Sequence, residues 1–109
     1  MRGFQHDTDV LVHQVERHLV LLRLSGRTGH DLTLAERLAT SLRELIVSTT
    51  RASAADRARV RAAVHYFVLR RESRSDRLPA RSLTADQRVV NEIARALGRD
   101  DLVVQSLAA

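Results

Sequence analysis

The stretch RARVRAAVHYFVLRR, from Arg57 to Arg71, decides how the rest of the chain is read. Wound as a helix at about 100° per residue, it places Val60, Ala63, Val64, Phe67 and Val68 on one side. Ala58, Ala62, Tyr66 and Leu69 fall roughly opposite. Arg61, His65 and Glu72 fill one seam between these faces, and Arg59 and Arg70 fill the other. A helix apolar on two sides is sandwiched between other elements or shared between subunits. The expectation is a central helix over 54–72, opened by the capping pattern Ser53-x-x-Asp56.

Working outward, the chain upstream holds two more amphipathic stretches. From Asp9 onward, Leu11, Val15, Leu19 and Leu22 form a stripe at helical spacing, with Asp7 or Thr8 as the expected cap. Val10, Val20, Leu21 and Leu24 give this helix a second apolar face, interrupted by His13 and Arg17. Residues 1–8 lack periodicity and read as a loose arm with Phe4 as an anchor. Ser25, Gly26 and Gly29 mark a turn. The next helix is expected to open at the capping box Thr33-x-x-Glu36 and to bury Leu34, Leu38, Leu42, Leu45 and Ile46. It ends in the hydroxyl-rich Ser48-Thr49-Thr50.

Downstream, residues 73–83 are polar and charged and contain the sole proline, Pro79, so they read as a loop. Thr84-x-x-Gln87 then introduces a helix carrying Val89, Val90, Ile93, Ala96 and Leu97, with Gly98 placed as a C-terminal glycine. The tail DDLVVQSLAA is either a short fifth helix capped by Asp100 or an extended segment packed on the others. No strand alternation stands out. Together these patterns predict an all-α fold, a compact bundle of four to five helices in one domain over residues 1–109, with the 54–72 helix central.

Composition narrows the chemistry. The chain has no cysteine, which removes disulfides, thiolate metal sites and thiol nucleophiles and suits a reducing compartment. All 18 basic residues are arginine, a bias expected of a bacterium with GC-rich codons. The most apolar run, Leu19 to Leu24, is broken by Arg23 and falls far short of the roughly 20 residues a membrane span needs. A cytoplasmic protein is the resulting expectation.

The net charge of +5 is concentrated. Residues 51–81 hold nine arginines and three acids, whereas the residues before them hold six of each. Arg57, Arg59, Arg61, Arg70, Arg71, Arg74, Arg77 and Arg81 are therefore candidates for contact with phosphate or nucleic acid. A solvated helix flank and charged loop explain them more simply, since only Phe4, Tyr66 and Phe67 are aromatic and offer no base-stacking platform. His6, Asp9, His13 and Glu16 recur at a spacing that puts imidazole and carboxylate on one helix face, the pattern of a divalent-metal site. An ordinary solvated polar face is the preferred reading there too. His65 reads as a structural histidine, because no nucleophile or second acid is tied to it by spacing. No phosphate loop, nucleophile elbow or HExxH pattern occurs, so no catalytic residue and no cofactor is assigned.

From Ala62 to Val104 the chain resembles the YkvA-like family, which carries the DUF1232 domain. The likeness rests on AAVHYF, on Ser75-Asp76-Arg77-Leu78-Pro79 as a proline-and-aspartate turn, and on Asp86 ahead of VVNEIARALG. Ala85 stands where that family has one of its paired aspartates. The resemblance implies a helical fold and draws attention to Asp86, which lies in line with Ile93 and Leu97. A structural ion pair with Arg71, or a cap, is expected of it.

Function follows from surplus apolar surface. Val20, Leu21 and Leu24 on the first helix, with Tyr66 and Leu69 on the central one, predict an interface of a non-enzymatic protein-interaction module, a homodimer or subunit of a larger assembly. The competing arrangement covers them within one chain, using Phe4 and the tail.

Overall fold

The second helix carries the deepest burial. Leu38, Leu42 and Leu45 are fully removed from water, with Ala35, Ala39 and Ile46 beside them. Ala, Leu, Arg and Glu dominate this segment, and all are strong helix formers. The computed structural model describes residues 2–24, 29–69 and 83–105, except for the side chains at 2–6, 29–31, 69 and 84. Four helices make up most of this: α1 (Arg2–Leu24), α2 (Gly29–Ser48), α3 (Ala54–Leu69) and α4 (Leu83–Ala96). The all-α bundle expected from the periodicity is what forms.

Helices α2 and α3 are the inner pair. Each packs on α1, on α4 and on the other, while α1 and α4 do not touch among the described residues. The core joins Leu11, Val15, Leu19 and Leu22 of α1 to the α2 stripe, to Val60, Ala63, Val64 and Phe67 of α3, and to Leu83, Val90 and Ala94 of α4. Burying each leucine or valine contributes about 1.5–3 kcal/mol. The central place expected for α3 is thus shared with α2.

Several local expectations hold. Ser53 Oγ accepts the Asp56 N–H at 3.1 Å, which caps α3. Gly98 sits at φ 73° just past α4. Its N–H bonds to Arg95 O at 3.0 Å and that of Arg99 to Ala94 O at 2.8 Å. This pair is a Schellman closure, which needs a left-handed residue at that point. At the end of α2 the threonines stand in for a glycine, as Thr49 Oγ1 donates to Leu45 O at 2.6 Å and Thr50 Oγ1 to Val47 O at 2.9 Å.

Others are corrected. The supposed arm is helical from Arg2. It is stabilised by contacts that local periodicity does not show: buried Thr8 meets Thr50, hydroxyl to hydroxyl, at 3.0 Å, and Asp7 pairs with Arg61 of α3 at 3.4 Å. Helix α2 begins at Gly29, so Thr33 is an exposed residue within it and not its cap. Helix α4 begins at Leu83, which belongs to the core and not to the charged loop, and Thr84 lies inside the first turn. The remainder of that loop, and residues 70–72 of the expected central helix, lie outside the described residues.

The largest correction concerns the second face of α3. Ala58 and Ala62 are exposed and Tyr66 is half-buried, so α3 is not sandwiched. Alanine counts as apolar in a periodicity pattern, yet its single methyl group costs little in water and favours the helix. The tail combines its two alternatives: a single 3-10 turn over Asp100–Leu102, then extended backbone with Val104 buried. Asp100 is not a cap, because Arg99 holds that position and makes no side-chain capping bond.

Two substitutions test this account by urea unfolding. Leu42→Ala should lower stability by about 2–5 kcal/mol through the cavity it leaves. Gly98→Ala should cost about 1–2 kcal/mol although nothing lies within 4 Å of the added methyl, because the cost is backbone strain alone.

Candidate interaction surfaces

Helix α1 buries Thr8, Leu11, Val15, His18, Leu19 and Leu22 on one side and keeps apolar residues on the other. Val20 is 47% exposed, Leu21 50% and Leu24 77%, and Val10 is exposed on the same side. Val10, His13, Arg17, Val20 and Leu24 follow one another at steps of three and four, the spacing of a seam that meets another helix. The described part of the tail packs on α4 and α2, and residues 106–109 lie outside the described residues. The Phe4 side chain lies outside the described residues. Of the α3 candidates, Tyr66 is only partly exposed and makes contacts within the chain, and the Leu69 side chain lies outside the described residues.

The arginines of α3 are already engaged. Arg57 donates to the carbonyl of Ala52, Arg59 pairs with Asp56 at 3.0 Å, and Arg61 reaches Asp7. Each such surface pair contributes under about 1 kcal/mol, but each carboxylate also neutralises charge that a phosphate would need. Arg70, Arg71, Arg74, Arg77 and Arg81 lie outside the described residues. Two further pairs tie α1 to α2, Arg23 to Glu36 at 3.1 Å and Arg43 to Glu16 at 3.2 Å.

The proposed metal set does not assemble. Asp9, His13 and Glu16 are all exposed, Glu16 is committed to Arg43, and the His6 side chain lies outside the described residues. Among the described residues no group of three or more metal-ligating side chains converges. A cavity of about 20 Å³ between Thr8, Thr50, Arg57 and Arg61 has room for about one water molecule and for no substrate. Among the described residues no helix is long and apolar enough to cross a membrane.

His65 is exposed, which removes it as a structural histidine. Among the described side chains the buried histidine is His18, whose ring meets Phe67 edge-on at 4.9 Å between centroids. Asp86 is 1% exposed in the first turn of α4, as expected, where helix N–H groups and the dipole favour a carboxylate. Its anticipated partner Arg71 lies outside the described residues.

A constellation that periodicity alone does not reveal lies between α2 and α4. Ser41 Oγ donates to Leu102 O at 2.8 Å. Gln87 Nε2 and Asn91 Nδ2 donate to Val104 O at 2.7 and 3.0 Å, and Asn91 Oδ1 accepts the Val104 N–H at 2.8 Å. The available signal was Gln87 and Asn91, two amides one turn apart beside the apolar stripe of α4. Outside the groove, Arg99 grips Asp101 with two bonds, at 3.0 and 2.9 Å.

Comparison of the chain with protein-family models, curated proteins and solved structures returns no match.

The Arg99 bond holds the Asp101 carboxyl below the ordinary aspartate value of 3.8 and raises the guanidinium in return. The stabilisation it gives the turn is therefore present at neutral pH and is lost as pH falls through the depressed Asp101 value. NMR titration should find Asp101 below 3.8, returning toward it in Arg99→Gln.

Proposed function

We propose that this protein is a non-enzymatic helical module that pairs with a second copy of itself through the outer face of α1. The observation that carries the reading is the exposure of Val20, Leu21 and Leu24 opposite the buried stripe of the same helix. Spacing of three and four residues lets such a face pack against another helix of the same spacing, and a face that matches itself suits a two-fold dimer. Arg17 and His13, which interrupt the seam, would fix its register in the way polar residues do in paired helices. Kinship with the YkvA-like family and a place in the cytoplasm belong to the same proposal, the first on the residue pattern and the second on the lack of cysteine.

Sedimentation equilibrium of the untagged chain tests the reading. A dimer is expected, and Leu21→Glu with Leu24→Glu should weaken it at least about a hundredfold, because two leucine anchors contribute about 3 kcal/mol or more. A strictly monomeric mass for the wild-type chain at high concentration would overturn it.

A further inference from the structure

The groove between α2 and α4 holds the tail by its backbone. All four bonds from Ser41, Gln87 and Asn91 end on main-chain atoms of Leu102 and Val104. The Asn91 amide closes on Val104 from both sides, donating to its carbonyl and accepting its N–H, which is the pairing a neighbouring strand offers. Val104 is 6% exposed and belongs to the core, and Leu102 and Val103 pack against it while only partly covered.

Two features set this arrangement apart from ordinary packing. A buried amide costs free energy unless its bonds are made, and an apolar residue at position 91 would pack on the same helix without that requirement. The polar set is therefore matched to an extended backbone. The tail is also attached like a ligand on a tether. Gly98, at φ 73°, turns the chain out of α4 toward the groove, and a shallow depression of about 270 Å³ runs along Gln87, Asn91 and Arg95.

We infer that the α2–α4 groove is a peptide-binding site whose occupant in trans is the 102–104 segment of a second copy, with the chain's own segment as its competitor. The second copy is the partner because its sequence is the one seen to fit. This inference does not rest on the α1 face, since among the described residues the 100–102 turn packs on α4 and α2. A short tether gives the chain's own segment an effective concentration of about millimolar, so the closed form dominates until that segment is weakened.

The test uses the full-length protein and a labelled synthetic peptide of residues 99–105. Val104→Pro removes the N–H that Asn91 accepts, one of the four bonds, and so weakens the chain's own segment as a competitor. This variant should bind the peptide at least about tenfold more tightly than wild type, and adding Asn91→Ala to it should abolish binding. In the wild-type chain, excess peptide should accelerate hydrogen exchange of the Val104 amide. A Val104→Pro variant with the wild-type circular dichroism that fails to bind, or that binds equally well with Asn91→Ala, overturns the inference. If Val104→Pro does not fold, the wild-type measurement decides, and unchanged exchange at millimolar peptide overturns it.

Discussion

Leu38, Leu42 and Leu45 of α2 and Val60, Val64 and Phe67 of α3 lie in one core, and the burial of this inner pair is what the rest of the molecule depends on. Because α2 and α3 each contact α1, α4 and one another, both outer helices can bury their stripes against this pair. Helix α1 leans on one side of it and α4 on the other. The apolar stripes of both outer helices are satisfied by this arrangement, and that leaves their far sides uncommitted. On α4 the far side is polar. On α1 it is not, and this asymmetry gives the bundle its one conspicuous apolar surface among the described residues.

Charge is arranged around that frame more than within it. Arg23, Arg43 and Arg61 each bridge α1 to a neighbouring helix through a carboxylate. Such exposed pairs add little stability singly, but they lie at separate points along α1 and oppose sliding of that helix on the inner pair. An arginine-only surface suits the task, since the planar guanidinium makes directed contacts that a lysine ammonium does not.

How much of this was legible depended on the distance between cause and effect along the chain. Ser53 and Gly98 were readable because their partners lie within five residues. The helical state of residues 2–8 was not, because Thr8 is held by Thr50, 42 positions away. Face assignment failed on α3 for a different reason: Ala58 and Ala62 satisfy an apolar pattern while carrying too little surface to require burial. Of the candidate surfaces, the exposed apolar face of α1 was legible in its spacing. The backbone clamp was not, because hydrogen bonds from Asn91 and Ser41 to a peptide group leave no mark in the identity of residues 102–104.

The outer face of α1 points away from the inner pair, and among the described residues α1 and α4 do not touch, which has an energetic consequence. Perturbations at sites that share no partner usually add, with coupling of a few tenths of a kcal/mol at most. Sequence change on the outer side of α1 can therefore accumulate without disturbing the clamp on α4, and the reverse holds as well. Two such separable surfaces on one small bundle can diverge at different rates, one being remodelled while the other is kept.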